Sequence, residues 1–169
     1  EAPAAEESGS KMALEAPDPD SAIYQICDRL AQDMEARHLF VYHTGTNQML
    51  YSKSTGNGKL FPASITKLFS TYVALQYLDP DTIITAGSEL DLVHEGSSVA
   101  YVSEGSQVRV KMLVEGMMLP SGNDAAMVLS CAAGRVIAED PQLAASDAVQ
   151  VFVDEMNRQA ELLGFEMSH

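Results

Sequence analysis

The chain has 169 residues, of which 46% are hydrophobic and 20% charged, a composition ordinary for a globular domain with a buried core. Its 24 acidic and 10 basic residues give a formal net charge of −14, which repels nucleic acids and anionic lipids alike. We therefore expect no nucleic-acid partner. The sequence contains no apolar run as long as a membrane span, and if the protein is exported, we expect that its signal peptide has already been removed.

The first part of the chain predicts a leader, a helix and a hairpin. Residues 1–20 are rich in Glu, Ala, Pro and Ser, and we expect a disordered acidic leader. With Asp20 or Ser21 as its N-cap, the first helix is predicted to end near Arg37. Residues 39–43 and 48–52 have strand patterns, and the turn residues between them predict a β-hairpin. The apolar stripe of the helix consists of Ile23, Ile26, Cys27, Leu30, Ala31 and Met34.

Helices are predicted for most of the remaining chain. Pro62 suits a first helical turn, and the apolar residues after it have the spacing of a helix that ends near Tyr77 and is buried along one stripe. Residues 82–110 predict no definite element. Further helices are predicted over 111–119, from Asp124 through Ala132, and in a last segment that ends at Gly164 as a C-cap. The stripe after Pro62 consists of Ile65, Leu68, Phe69, Tyr72, Val73 and Leu75.

Ser64 and Lys67 stand three residues apart at the start of the helix after Pro62, where the positive end of the helix dipole also acts on the serine oxygen. Residues at this spacing are neighbours on a helix surface, so the Lys67 amine can reach the Ser64 hydroxyl. A serine hydroxyl becomes a nucleophile when a base takes its proton, and only a neutral lysine amine can be that base. The same spacing at Ser8 and Lys11 lies in the polar leader, and we interpret it as coincidental.

Ser121 and Asn123 form a second polar group, in the break between two apolar helices. Such a turn can present a hydroxyl and a carboxamide from rigid supports. Taken alone, the pair has a simpler interpretation, because Asn123 can cap the helix that begins at Asp124 and Ser121 can stabilise a turn. Together, the two polar groups favour a catalytic site more strongly than either does alone.

Over roughly residues 37–169 the sequence resembles the penicillin-binding, serine-type D-alanyl-D-alanine carboxypeptidases. The resemblance implies an α/β (α+β) fold of the β-lactamase/transpeptidase-like superfamily, here a partial sheet hairpin plus the helical subdomain. Residues 21–169 would then be the N-terminal part of a catalytic domain. The matching blocks are Thr44-Gly45, Phe61-Pro62-Ala63-Ser64-Ile65-Thr66-Lys67, Leu119-Pro120-Ser121-Gly122-Asn123-Asp124-Ala125-Ala126, and Met156-Asn157 followed by Leu163-Gly164.

The resemblance also implies a role for each candidate site residue. Ser64 would be the acylated nucleophile and Lys67 its base, and the backbone N–H of Ser64 would supply half of an oxyanion hole. Ser121 would relay the proton towards the leaving group, and Asn123 would bind the peptide carbonyl of the substrate and orient Lys67. The implied reaction removes the terminal D-alanine from peptidoglycan stem peptides through an acyl-enzyme, and β-lactams would acylate the same serine. Such substrates imply an extracytoplasmic location, in the cell envelope or secreted, with or without a membrane anchor.

One departure from the family pattern bears on activity. The third motif, Lys-Thr-Gly on a strand edge, does not occur up to His169, so we expect the C-terminal strands to come from a companion segment or chain. His43 stands where many relatives carry an aspartate, at a position that we interpret as structural. Three alternatives remain: a β-lactamase, a penicillin-binding sensor that is acylated without turnover, and an acidic structural domain with fortuitous motifs.

Cysteines and histidines predict no further chemistry. Cys27 and Cys131 lack C-x-x-C spacing and lie in apolar stripes, so we expect two small buried residues rather than a disulfide. We expect no metal, because the histidines lack the paired spacing of a metal site, and the resemblance implies no cofactor. The four histidines are His38, His43, His94 and His169.

Overall fold

The structure is a computed structural model, and it describes residues 15–55 and 61–165. The chain divides into two compact units, Glu1–Leu60 and Phe61–His169. The expected leader lies outside the described residues as far as residue 14, as does the Ser8 and Lys11 spacing.

The first helix of the first unit is shorter than expected. Helix α1 (Ala22–Ala31) begins after Ser21, whose Oγ accepts a hydrogen bond from the Tyr24 N–H at 3.1 Å, so the predicted N-cap is confirmed. The prediction that the helix continues to Arg37 is wrong. Lys53 Nζ donates to the Ala31 carbonyl at 3.0 Å, and a cation at the negative end of the helix dipole stabilises the helix end at this residue.

Helix α1 packs through a face that includes only part of the predicted stripe. The Tyr24 ring lies 4.9 Å from the Tyr51 ring, Tyr51 Oη donates to Asp28 Oδ1 at 3.1 Å, and Ala31 is buried. Tyr24, Asp28 and Ala31 are four and three residues apart, so they share one helix face. Ala31 is the member of the predicted stripe that is buried on this face. Four of the other members lie beside it and are largely exposed: Ile23, Ile26, Leu30 and Met34.

The predicted hairpin is confirmed, with strands slightly longer than expected. Strands β1 (His38–His43) and β2 (Gln48–Ser54) pair antiparallel. Their register shifts between Val41 and Tyr42, where a bulge interrupts the pairing. In the turn, Asn47 takes a positive φ of 58°, a conformation that Asn tolerates better than most residues.

The second unit is built around four helices. Helix α2 (Thr66–Ala74) follows a single 3₁₀ turn, α3 (Val110–Met118) precedes the predicted break, and α4 (Asn123–Ile137) and α5 (Ala145–Leu162) lie along each other. None of the described helices is both long and apolar enough to cross a membrane. The largest buried apolar side chains of this unit are Leu113, Met117, Leu129, Val73, Val110, Val128 and Phe152.

The stretch without a predicted element contains a small sheet. Strands β3 (Ile83–Thr85) and β4 (Gln107–Arg109) pair antiparallel, and a 3₁₀ helix over Ser88–Leu92 lies between them in the chain. Each strand has three residues, which is too short for an alternating pattern to be detected in the sequence.

Helix α2 is buried on one face only. Val73 and Ala74 are buried, whereas the prediction of one continuous buried stripe is wrong for the other side of the helix. The exposed apolar residues there follow helical spacing, so in the described structure they form an uncovered stripe along α2. This α2 stripe consists of Ile65, Leu68, Tyr72 and Leu75, each between 41% and 69% exposed.

Helix α5 is fixed to α4 and to the residues that follow α2. A Cβ on Gly134 would lie 1.8 Å from the Ala148 carbonyl oxygen, so the backbones of α4 and α5 touch at a position where only glycine fits. Glu155 is buried and accepts hydrogen bonds from Tyr77 Oη at 2.5 Å and from Arg158 Nε at 2.6 Å. The bonds from Arg158 lower the pKa of Glu155 to about 2, although burial acts in the opposite direction.

Helix α5 ends in a glycine cap, and the two cysteines differ in burial. Gly164 has φ +78° and donates to the Glu161 carbonyl, while the Phe165 N–H donates to Ala160, which is a Schellman C-cap as predicted. Cys131 is buried as expected, and burial raises the pKa of its thiol to about 11. Cys27 is only partly buried, because it lies beside the contact face of α1.

Candidate active site

Ser64 lies in a 3₁₀ turn (Ala63–Ile65) that leads directly into α2. The preceding residue, Ala63, has φ +48°, in the left-handed region that residues other than glycine rarely adopt. Such strain persists only where the surrounding structure imposes it, and it is concentrated at functional sites. The turn places Ser64 at the start of the helix, as the sequence predicted, and leaves the residue exposed.

Ser121 lies in a second strained turn, between α3 and α4. Its φ is +60°, and the N–H of the next residue, Gly122, donates to the Gly116 carbonyl at 3.0 Å. A Cβ on Gly122 would lie 2.7 Å from both the Ala100 nitrogen and the Gly116 oxygen, closer than real Cβ atoms approach. Glycine at this position therefore allows the turn to lie against two backbone segments and to hold the Ser121 hydroxyl.

The structure brings all four predicted site residues together. Ser64 Oγ and Ser121 Oγ are 2.6 Å apart. Lys67 Nζ lies 3.5 Å from Ser64 Oγ and 3.2 Å from Ser121 Oγ. The same nitrogen donates to Asn123 Oδ1 at 2.7 Å. The Lys67 nitrogen thus lies within hydrogen-bond distance of three side-chain oxygens. One belongs to a residue at the start of α2 and two belong to residues at the start of α4.

Asn123 is the first residue of α4, whose N-cap is Gly122. Its side chain accepts from Lys67 and makes no capping hydrogen bond, so helix capping does not explain this residue. The carboxamide instead links the turn of Ser121 and Asn123 to the helix of Ser64 and Lys67.

The hydrogen bonds form a path for a proton. The Ser64 hydroxyl can donate to Ser121 Oγ or to a neutral Lys67 amine, and either serine can be the donor in their shared bond. A nucleophile within reach of a base that a third group holds is the arrangement of an activated serine. These residues can therefore support acyl transfer to Ser64.

The role of Asp124 was not predicted from the sequence, in which this residue marked only the start of a helix. Asp124 is 4% exposed, and its Oδ1 accepts from the N–H groups of Ala100 at 2.7 Å and Ala125 at 2.8 Å. Its Oδ2 accepts from the Val102 N–H at 2.8 Å. A carboxylate directly after Ser-Gly-Asn at a helix start was the available signal, because the helix dipole favours it there.

Ala100 and Val102, which donate to Asp124, belong to a segment that also accepts a hydrogen bond from Asn123. The Asn123 N–H donates to the Ser98 carbonyl at 2.8 Å, next to the two bonds from Ala100 and Val102. We call residues 98–102 the border segment. It is held by α4 rather than by pairing in a sheet.

No metal cluster occurs in the part of the chain that the structure describes, where no three His, Cys, Asp or Glu side chains are grouped to hold an ion.

The fold and the two motifs define a β-lactamase/transpeptidase-like protein, and solved structures agree. The chain is 28% identical to the R248L mutant of Streptomyces K15 DD-transpeptidase, with a TM-score of 0.67, covering 80% of this chain and 51% of that one. It is 29% identical to the D-alanyl-D-alanine carboxypeptidase DacD from Francisella tularensis, with a TM-score of 0.63 over 81% of this chain and 31% of that one.

The chain belongs to the D-alanyl-D-alanine carboxypeptidase family, whose family model matches residues 26–169. It is 34% identical over 119 residues to the D-alanyl-D-alanine carboxypeptidase DacD of Escherichia coli, covering 64% of this chain and 27% of that protein. It is 28% identical over 135 residues to DacF of Bacillus subtilis, covering 78% of this chain and 31% of that protein. The chain thus spans less than a third of the length of these two relatives.

Proposed function

We propose that this chain supplies the nucleophile and proton-transfer groups of a serine-type D-Ala-D-Ala carboxypeptidase. The observation that carries the proposal is the position of Lys67 Nζ, within 3.5 Å of Ser64 Oγ, Ser121 Oγ and Asn123 Oδ1. The membership of the chain in the carboxypeptidase family supports the choice of substrate.

In the proposed acylation step, Ser64 Oγ attacks the carbonyl carbon of the penultimate D-alanine of a stem peptide. The hydroxyl proton passes to a neutral Lys67 amine, and the carbonyl oxygen becomes an oxyanion that the Ser64 N–H stabilises. The proton then passes through Ser121 to the departing nitrogen, so the terminal D-alanine leaves as a neutral amine. The peptide remains attached to Ser64 as an ester.

In the second step, water attacks the ester carbonyl and gives one proton to Lys67. Collapse of the intermediate breaks the bond to Ser64 Oγ, which takes the proton back, and the shortened peptide leaves as a carboxylic acid. A β-lactam would follow the first step in the same way, because opening of its amide ring is also acyl transfer to Ser64. The resulting ester is the species expected after penicillin treatment.

We also propose that a companion C-terminal segment, or a companion chain, completes the site with a Lys-Thr-Gly strand. The α2 stripe supports this, because its four large apolar residues, which begin directly after Ser64, are uncovered in the described structure. In the described residues β1 and β2 form a two-stranded sheet that packs against α1, and the outer edge of each strand is not paired with a further strand. Added strands would cover apolar surface and supply the second oxyanion donor.

The companion proposal is tested by comparing residues 1–169 alone with the full-length protein. Removing one oxyanion donor costs about 10²- to 10³-fold in rate, so the isolated segment should label with fluorescent penicillin far more slowly. Near-UV circular dichroism would report whether the segment folds cooperatively. A folded segment that labels at the full-length rate would show that the added strands are unnecessary.

From the proposed substrate we also propose a location outside the cytoplasm, in the cell envelope or secreted, because peptidoglycan stem peptides are exposed there. Adding to intact cells a protease that cannot cross the cytoplasmic membrane tests this location, because an exposed protein is digested. Protection of the protein in intact cells, with digestion only after lysis, would contradict it.

The central experiment incubates the full-length protein with a peptide ending in D-Ala-D-Ala and measures released D-alanine. We expect steady release, none from Ser64→Ala, and a penicillin adduct that peptide mass mapping places on Ser64. Adduct on Ser121 or Ser8 would contradict the nucleophile. Hydrolysis of penicillin without D-alanine release would favour a β-lactamase, and stoichiometric labelling without turnover would favour a sensor.

A further inference from the structure

Gly116 lies inside α3, where glycine is less favourable than alanine because it loses more conformational freedom when the helix forms. The contacts around it explain the glycine. A Cβ on Gly116 would lie 3.0 Å from the Ala100 Cβ and 3.4 Å from the Ala125 Cβ, whereas carbon atoms in contact usually lie about 3.5 to 4.0 Å apart. The missing side chain thus leaves room for the methyl group of Ala100.

Ala100 belongs to the border segment, and its methyl group lies against two glycines. A Cβ on Gly122 would lie 2.8 Å from the Ala100 Cβ, so Gly116 and Gly122 both make room for the same methyl group. The segment is also held from another side, because the Ala100 N–H donates to Oδ1 of the buried Asp124 at 2.7 Å. We therefore expect an atom added at this contact to displace the turn that contains Gly122.

That turn positions the Ser121 hydroxyl. The Gly122 N–H donates to the Gly116 carbonyl at 3.0 Å, so the residue after Ser121 is bonded to the same position of α3. Ser121 Oγ lies 2.6 Å from Ser64 Oγ and 3.2 Å from Lys67 Nζ. Because hydrogen bonds from nitrogen to oxygen usually span about 2.7 to 3.2 Å, a small displacement of the turn would lengthen the bond from Lys67 beyond this range.

We propose that Gly116 is a positioning residue for proton transfer through Ser121, and that it acts through its contact with Ala100. This inference rests on the proposed function. In that reaction the Ser121 hydroxyl gives its proton to the departing nitrogen and receives one from the Lys67 ammonium, while the bond between the carbonyl carbon and the nitrogen breaks. Since Ser64 and Lys67 lie at the start of α2, alanine at position 116 should displace the proton-transfer group and not the nucleophile.

The test compares two substrates that share an acyl group and differ in the leaving group. A peptide ending in D-Ala-D-Ala releases an amine, whose nitrogen must be protonated as it departs. A thioester of the same acyl group releases a thiolate, which departs without a proton. The value of kcat/KM, which reports the steps up to departure of the leaving group, is measured for both substrates with the full-length protein.

We expect Gly116→Ala to lower kcat/KM about tenfold for the peptide and less than about threefold for the thioester, because general-acid catalysis contributes about 10²- to 10⁴-fold and a displaced group loses part of it. Adding Ala100→Gly to this variant moves the methyl group across the contact, so the ratio of the two kcat/KM values should return to within about twofold of the wild-type ratio. The matched control is Glu115→Ala, which places alanine at the neighbouring, exposed position of α3 and should leave the ratio unchanged.

A purely structural effect of the added methyl group would lower both kcat/KM values equally, because it would reduce the fraction of folded protein. Equal losses, no loss for either substrate, or failure of Ala100→Gly to restore the ratio would each overturn the inference alone, while the wild type releases D-alanine. If Gly116→Ala does not fold, Ala100→Ser enlarges the same contact by one atom and takes its place in the comparison of substrates. A wild-type protein that releases no D-alanine from the peptide would overturn the proposed function and the inference together.

Discussion

Lys67 makes its shortest hydrogen bond in the site to Asn123, with Nζ 2.7 Å from Oδ1. The distance to Ser64 Oγ is 3.5 Å, the outer limit of a hydrogen bond, whereas Ser121 Oγ is 2.6 Å from Ser64 Oγ. The amide oxygen therefore fixes the lysine in place, and the shortest route for the Ser64 proton in the unliganded site passes through Ser121. Catalytic hydrogen bonds are often long without substrate and shorten when it binds.

Replacing Lys67 should abolish acylation without unfolding the protein. Lys67→Ala removes the base, and general-base catalysis contributes about 10²- to 10⁴-fold in rate. Lys67→Arg should be equally impaired, because a guanidinium remains charged and cannot accept the proton. Penicillin labelling and thermal unfolding of both variants measure the two effects. An active arginine variant would refute the assignment of Lys67 as base.

Asn123→Ala should reduce acylation much more than stability. The side chain holds Lys67 and does not cap α4. Removal of a helix cap lowers the free energy of unfolding by about 1 kcal/mol, and we expect no such loss in this variant. The matched control for a true cap is Ser21→Ala, which removes the acceptor for the Tyr24 N–H. Urea unfolding compares the two. A larger loss of stability in Asn123→Ala with activity retained would reverse our conclusion about this residue.

Asp124→Asn should loosen the border segment. The substitution replaces one acceptor oxygen by an NH₂ group, which faces a backbone N–H and leaves a buried donor unpaired at a cost of about 1 to 3 kcal/mol. Asp81→Asn is the control, since Asp81 is exposed and its bond to Lys111 is on the surface, where ion pairs contribute little. We expect a lower urea midpoint and slower acylation for Asp124→Asn only. Equal midpoints for the two variants would be inconsistent with this role.

Glu155 should make stability depend on acidic pH. Its hydrogen bonds with Arg158 lower its pKa in the folded protein from 4.5 to about 2, so its stabilising contribution is complete above about pH 4.5. The contribution is lost as the pH falls towards 2. The stability difference between the wild type and Glu155→Gln should therefore be largest near neutral pH and shrink below pH 4.5. Unfolding curves at several pH values measure this, and a constant difference would exclude it.

The helices and the site residues were the features most readily predicted from the sequence. The hairpin, the break at Ser121 and the helix after it have turn residues and periodicity that act locally, and the structure confirms these elements. The two polar motifs are short and have fixed spacing. Their proximity in space could not be deduced from spacing alone, because it depends on where Gly122 lets the turn approach Ala100.

The failed predictions concern tertiary contacts. The end of α1 depends on Lys53, which is 22 residues away, and a local pattern does not contain that information. Periodicity identified apolar residues on α1 and α2 but not which stripe the described structure buries, since the contact face of α1 includes the polar Asp28. The border segment was missed because a buried carboxylate, rather than strand pairing, holds it.

The close contact between Gly134 and Ala148 has a mechanical consequence for the site. Helix α5 touches α4 there and is tied to the end of the α2 segment by the bond between Glu155 and Tyr77. The two helices that begin at the catalytic motifs are thus both braced by a third helix that contributes no residue to the site. A change in the distance between the motifs would require α5 to slide along α4, which close-packed backbones resist. The two motifs should therefore move as one rigid body during turnover, and any opening or closing around substrate is left to segments outside these helices.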